Sequence, residues 1–88
     1  TPSFLFKGDQ LDINYSTSAV GSIKVEIQQE NGQPIPGFSL SDSNEMFADV
    51  IDGTVHWSRG SDLGGLEGKP IKLRFVLKDA DLYSFKFN

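Results

Sequence analysis

The sequence contains no cysteine and a single histidine, His56. Without cysteine the chain can form neither a disulfide framework nor a thiolate metal site. With one histidine it cannot build a metal site on two imidazoles. No apolar stretch approaches the roughly 18 residues of a membrane-spanning helix, so we predict no membrane span.

Basic residues are also scarce. Eight Lys and Arg against twelve Asp and Glu give a formal net charge of -4. The basic residues are scattered along the chain, whereas binding to nucleic acid or to an anionic membrane surface requires clustered Lys and Arg. We therefore predict neither of these partners.

The length of 88 residues predicts one domain, 1–88. A chain of this size buries only about two-thirds of the surface that its unfolded form exposes, so its stability depends on one compact core. The chain begins at Thr1 rather than at Met. We interpret it as a processed product or a fragment of a larger protein.

Alternation of apolar and polar residues is the dominant pattern. It runs through LDINYS, SIKVEIQ, TVHWS, IKLRFVLK and LYSFKF. A period of two predicts half-buried β-strands. SFLFK is a further short strand and GFSL a candidate edge strand. The links SAVGS, between the first two segments, and KDAD, between the last two, predict hairpin turns.

These features predict an all-β fold. Short links favour antiparallel pairing, because parallel strands need long crossover connections. A single sheet would leave its apolar face in water, so we predict an antiparallel β-sandwich of six to eight short strands, jelly-roll or immunoglobulin-like. The last hairpin is expected to contribute most to the core, through Ile71, Leu73, Phe75, Leu77, Tyr83, Phe85 and Phe87.

No catalytic constellation is present. There is no G-x-S-x-G nucleophile motif, and GSDLGGLEG lacks the spacing of the phosphate-binding glycine loops. His56 alternates with apolar neighbours, which favours a solvent-facing strand position over a catalytic role. We predict that the chain is not an enzyme and holds no cofactor.

Aromatic side chains are the main candidates for binding a carbohydrate. Trp57 shares the apolar side of its segment with Val55, which favours the core over stacking on a sugar. Phe38 and Phe47 lie outside the clear strands and are either exposed or close the ends of the sandwich. The candidate carbohydrate-binding residues are His56, Trp57, Phe38, Phe47 and Asn44.

Asp79 and Asp81 are a candidate Ca²⁺ site, if a backbone carbonyl joins them. Their spacing does not match an EF-hand. Aspartate is a common turn residue. We therefore predict solvated turn aspartates and no metal, with a Ca²⁺ site as the alternative.

Two long segments carry a resemblance, GSIKVEIQQENGQPIPGFSLSDS and GSDLGGLEGKPIKLRFVLKDADLYSFKF. They resemble C-terminal β-sandwich modules of bacterial multidomain proteins that also contain a region similar to β-propeller glycoside hydrolases. The resemblance extends from Gly8 to Phe87. Its most specific part is the pairing of GKPIKLRFVLKDADLYSF with the earlier GQPIPGF.

This resemblance implies an accessory domain of an exported protein (extracellular, periplasmic or at the cell surface) that acts on carbohydrate. The implied partner is the catalytic domain of the same parent chain, and a polysaccharide is the further candidate partner. The resemblance supplies no catalytic or binding residues.

Three functions remain open at this point. The first is a non-catalytic accessory domain that packs against a catalytic domain, which requires a contiguous exposed apolar patch. The second is an independent carbohydrate-binding module, which requires exposed rings along a groove beside hydrogen-bonding side chains. The third is a module for other protein–protein interactions.

Overall fold

The computed structural model describes residues 1–88 and shows one open, antiparallel, three-stranded sheet. The strands are β1 (Leu11–Gln29), β2 (Asp49–Thr54) and β3 (Ile71–Phe87), in the spatial order β2-β1-β3. A single 3₁₀ turn, Gly64–Leu66, lies between β2 and β3. No helix in the structure has the length and apolar character needed to cross a membrane.

β1 is the central strand along its whole length. On one edge it pairs with β3 along a ladder in which Leu11 pairs with Phe87 at one end and Gln29 with Ile71 at the other. On the other edge its first part pairs with β2, and its second part bonds to the irregular 33–46 segment. The backbone N–H of Ile23, for example, donates to the carbonyl of Met46 at 3.0 Å, and the N–H of Met46 donates to the carbonyl of Ile23 at 2.9 Å. Both edges of β1 are thereby satisfied, as a buried strand requires.

The two predicted hairpins are wrong, because β1 and β3 are each one continuous strand. The ladder shifts between Thr17–Ala80 and Ser22–Lys78, where residues 18–21 of β1 oppose one residue of β3. That residue, Asp79, has a φ of 45°, a left-handed conformation that Asp tolerates better than most residues. The turn-favouring residues form a bulge instead of two chain reversals.

The all-β class and the antiparallel pairing are confirmed. The structure shows three strands in a single sheet, however, and not a sandwich of six to eight. Four predicted strands merge into β1 and β3, and SFLFK contributes only an isolated bridge from Phe4 to Ile71. GFSL forms no strand, and the strand expected at TVHWS is replaced by β2, which ends at Thr54.

The connecting segments cover one face of the sheet in place of a second sheet. Trp57 is 1% exposed, and its Nε1 donates to the carbonyl of Val25 at 2.9 Å. Its ring packs edge-on against Phe38, with 5.3 Å between the ring centroids. The buried core consists of Phe6, Leu11, Ile13, Tyr15, Ile23, Val25, Ile27, Phe38, Val55, Trp57, Leu63, Ile71 and Leu73.

This core covers β1 but not the middle of β3. Ile71 and Leu73 are fully buried, whereas Leu77 is 44% and Phe85 38% exposed. Segment 71–87 was expected to contribute most to the core, but only Ile71 and Leu73 are fully buried, while Phe75, Leu82 and Phe87 pack against the core only partly buried. The apolar face of the sheet therefore remains partly open along β3.

Candidate functional site

The five predicted sugar-binding residues separate into a buried and an exposed set. Trp57 and Phe38 lie in the core, Phe38 at 2% exposure, and neither ring offers a free face for stacking. The core position of Trp57 is confirmed, and both rings are excluded as stacking surfaces. Arg59 lies over the Phe38 ring, with its guanidinium carbon 4.9 Å from the centroid.

The other three predicted residues are exposed. Asn44 and His56 are neighbours, since the Asn44 N–H donates to the His56 carbonyl at 2.9 Å. The solvent-facing position of His56 is confirmed. Phe47 is 55% exposed, which settles its two alternatives in favour of exposure.

Asp79 and Asp81 are exposed and lie at the bulge in β3 rather than in a hairpin turn. The structure contains no group of three or more His, Cys, Asp or Glu side chains that could hold a metal ion.

The main concave surface lies on the outer face of the sheet, opposite the core. It is a groove of about 650 Å³ that crosses all three strands. β1 contributes Asn14 and Ser16, β2 contributes Asp49 and Ile51, and β3 contributes Tyr83 and Ser84. We call these six residues the outer groove. None of them was among the predicted sugar-binding residues.

Two β-bulges face each other across Asn14. In β2, Gly53 pairs with Ile13 and Val50 with Tyr15, so that two residues, 51 and 52, oppose Asn14. In β3, Ser84 pairs with Asn14 and Leu82 with Tyr15, so that Tyr83 is the extra residue. Asn14 thus stands between an inserted residue on each side.

The side-chain amide of Asn14 holds both bulges. Its Oδ1 accepts from the Asp52 N–H at 2.7 Å, and its Nδ2 donates to Ser84 Oγ at 2.7 Å. Asp52 has a φ of 54°, which the hydrogen bond to Asn14 helps to maintain. One side chain in the central strand therefore fixes the geometry of both flanking strands.

The bulge in β3 exchanges the roles of Leu82 and Tyr83. The alternation places Tyr83 on the apolar face, but the structure leaves it 69% exposed and packs Leu82 against the core. The predicted burial of Tyr83 is wrong. The adjacent apolar residues in DLYSF interrupt the alternation, and this interruption is the sequence signal for the bulge.

Beside the outer groove lies a buried carboxylate, Asp12. Its Oδ1 accepts from Thr54 Oγ1 at 2.7 Å and from Gln10 Nε2 at 3.1 Å, and its Oδ2 accepts from Asn88 Nδ2. Burial alone would raise the pKa of Asp12. The hydrogen bonds from Thr54, Asn88 and Gln10, with the nearby charge of Lys86, outweigh burial and lower this pKa below its ordinary value.

Tyr15 lies beneath the outer groove and is almost fully buried. Its hydroxyl donates to the carbonyl of Phe47 at 3.0 Å, and burial raises its pKa above the ordinary value of a tyrosine. Tyr15 therefore remains a neutral structural link between β1 and the residues before β2.

A second surface lies on the core side of β3. Phe85 contacts Phe75 and Phe4, with ring centroids 5.5 and 6.4 Å away, and Phe87 continues the cluster at 5.8 Å from Phe4. Leu77 lies on the same face. We call Phe4, Phe75, Leu77, Phe85 and Phe87 the aromatic surface.

The free edge of β3 borders the aromatic surface. The N-terminal residues bond to this edge only at its start, where Phe4 pairs with Ile71 and the Thr1 amino group donates to the Leu73 carbonyl. From residue 74 to residue 87 the edge that faces away from β1 makes no backbone hydrogen bond.

A scan against protein-family models, a search of curated proteins and a search of solved structures found no match to the chain. The chemistry of the outer groove and of the aromatic surface is therefore the basis on which a function can be proposed.

Proposed function

We propose that this chain is a non-catalytic accessory domain that packs against the catalytic domain of an exported, carbohydrate-active bacterial protein. The single observation that supports this function is the aromatic surface of β3, which is apolar and partly exposed. The β-sandwich of jelly-roll or immunoglobulin type belongs to the same proposal, since the uncovered part of the apolar face is where a second layer would pack.

The aromatic surface has the composition of a packing interface. The charged side chains of this part of β3, Lys72, Arg74 and Lys78, alternate with its apolar residues and project to the opposite face of the sheet. These three charged side chains therefore do not border the aromatic surface. Contiguous apolar patches on soluble domains mark interaction sites, because burial of apolar area is worth about 25 cal/mol per Å².

The packing is tested by producing the 88-residue chain and the catalytic domain of the parent protein separately and measuring their association by calorimetry. Leu77→Lys and Phe85→Lys are expected to weaken the association at least tenfold each, since both place a charge in the interface. Ile51→Lys is the matched control. It introduces the same charge at a residue that is 85% exposed on the opposite face.

Two results would contradict the packing function. One is the absence of any association at protein concentrations as high as the effective concentration that a linker would impose on the two domains. The other is an equal effect of all three lysine substitutions, because a general electrostatic effect does not depend on the face of the sheet.

An independent carbohydrate-binding module is the second candidate, and the exposed ring of Tyr83 in the outer groove favours it. In this function Tyr83 takes the stacking role for which Trp57 was only a candidate. Calorimetric titration with a panel of polysaccharides tests it, because the buried indole of Trp57 would report poorly on binding at the surface. Saturable binding to one glycan would put this candidate ahead of the packing module.

A further inference from the structure

We infer that the outer groove binds one pyranose ring of a neutral saccharide, held between Tyr83 and Ile51 over a floor formed by Asn14, Ser16, Ser84 and Asp49. This inference rests on the second candidate function and gives it a site. The groove lies on the face opposite the aromatic surface, so the two surfaces can be tested independently.

The two walls of the groove are apolar side chains that the fold leaves in solvent. Tyr83 is 69% and Ile51 85% exposed, one on each strand that flanks β1. Neighbouring strands lie about 4.8 Å apart, which places β2 and β3 about 9.6 Å from each other. A ring between two walls needs about 3.5 to 4.0 Å to the carbon atoms on each side, or about 7 to 8 Å in total. The two strands that carry the walls are thus far enough apart for one sugar ring to lie above the floor between them.

The floor between the walls offers both kinds of hydrogen-bonding group. Ser84 Oγ accepts from Asn14, so its own proton remains available to a ligand. Asp49 Oδ1 accepts from Ser16 Oγ at 2.6 Å, and Asp49 Oδ2 makes no hydrogen bond within the chain. A sugar hydroxyl both donates and accepts, so a donor and an acceptor on one floor suit it.

The paired bulges account for the walls. Without the extra residue in each strand, Ile51 and Tyr83 would each oppose Tyr15, whose side chain lies in the core, and both would point to the core face instead of forming two walls beside Asn14. Bulges commonly re-aim side chains at functional sites. Asn14 bonds to both bulges and is therefore a positioning residue: it presets the separation of the walls before a ligand arrives.

Charge restricts the ligand to neutral sugars. The groove contains the carboxylate of Asp49. Asp52 follows Ile51 in sequence, and Asp81 pairs with Ser16 in the sheet. No basic residue lines the groove, and Lys86, two positions beyond Ser84, is engaged with Asp52 at 3.4 Å. A uronate or a sulfated sugar would meet like charge without a free cation. The volume of about 650 Å³ is in the range of small-ligand sites.

The site is tested by calorimetric and NMR titration of the 88-residue chain with soluble neutral glycans (a β-glucan, an α-glucan, a xylan and a mannan) and with polygalacturonate as the anionic probe. We expect saturable binding to at least one neutral glycan, with shifts of the Tyr83 and Ile51 resonances. Tyr83→Ala should weaken binding at least tenfold, and Tyr83→Phe should retain most of it because the ring remains.

Phe47→Ala is the matched control. It removes another exposed aromatic ring that does not line the groove, and it should leave the affinity unchanged. Asn14→Ala should weaken binding although both walls are intact, and should shift the Tyr83 and Ile51 resonances of the free chain.

Three results would overturn the site: no binding to any neutral glycan at millimolar concentration, unchanged affinity in Tyr83→Ala, or a preference for polygalacturonate. Since Tyr83 is exposed, its substitution does not threaten folding. Association with a catalytic domain should be insensitive to Tyr83→Ala, so failure of this site and failure of the packing function are distinguishable.

Discussion

Gly21 lies where the backbones of β1 and β3 approach each other closely, at the shared bulge. A Cβ added to it would lie 2.3 Å from the carbonyl oxygen of Asp79 and 2.6 Å from that of Lys78. Ordinary contact begins at 3.4 Å, so Gly21→Ala requires a displacement of 3.4 − 2.3 = 1.1 Å. Both obstructing atoms belong to the backbone of β3 and cannot rotate away.

The magnitude follows from this displacement. Overpacking a close-packed site costs about 1 to 3 kcal/mol. Moving two strands apart by about an ångström also weakens the neighbouring ladder hydrogen bonds, each worth about 1 kcal/mol. We expect Gly21→Ala to lower the free energy of unfolding by about 2 to 4 kcal/mol. For a domain of this size that corresponds to a fall in Tm of about 10 °C or more.

Urea unfolding, followed by Trp57 fluorescence and by circular dichroism, measures this loss. Gly65→Ala is the control: no atom lies within 4 Å of its added Cβ, and its φ is not positive. Its free energy of unfolding should change by less than about 0.5 kcal/mol. Equal midpoints for the two variants would refute the close approach of β1 and β3 at Gly21.

Two further predictions concern buried polar groups. The pKa of Asp12 is lower in the folded than in the unfolded chain. The ionised carboxylate therefore stabilises the fold fully above the unfolded pKa, which is near 4. This contribution is lost as the pH falls through the folded pKa. Urea midpoints between pH 2 and 7 should therefore fall on acidification in the wild type and less steeply in Asp12→Asn; parallel profiles would contradict the role of Asp12. Trp57→Phe removes the bond to the Val25 carbonyl and leaves that buried acceptor unpaired, which should cost about 1 to 3 kcal/mol of unfolding free energy. His56→Ala, at the exposed residue next to Trp57, should change the free energy of unfolding by less than about 0.5 kcal/mol. Equal losses in the two variants would argue against the hydrogen bond from Trp57 to Val25.

The alternation of apolar residues predicted the interior well where the strands are regular. Ile23, Val25 and Ile27 were assigned to one face, and all three are fully buried. Trp57 was assigned to the core on the same rule and is buried there. Over a regular strand the face of each residue depends only on its parity, which the sequence contains.

The strand count failed because bulges and turns use similar residues. Gly and Asp are favoured in hairpin turns, and here Gly21 and Asp79 form a bulge within continuous strands. Local sequence does not distinguish the two outcomes. The choice depends on whether β1 and β3 keep each other as partners on both sides of the bulge, which is a tertiary property.

The outer groove was not predicted from the sequence, for a related reason. One inserted residue reverses the face of its neighbours, so the parity rule assigned Tyr83 to the core and passed over it as a binding residue. Asn14 was assigned correctly to the polar face. Its bonds to two bulges, however, join residues 38 and 70 positions away, which no local pattern reveals.

The pairing of β1 with β3 also determines the order in which this chain can fold. The paired positions are separated by 71 − 29 = 42 residues at one end of the ladder and by 87 − 11 = 76 at the other. Loops of this length must close before any of these pairs form, and such topologies fold slowly. At about 5 to 20 residues per second, a ribosome needs roughly 2 to 8 seconds to add the 42 residues from the end of β1 to the start of β3. Throughout that interval Ile23, Val25 and Ile27 of β1 lack their main partner strand, so the apolar face of β1 stays uncovered along β3 until translation has passed residue 71.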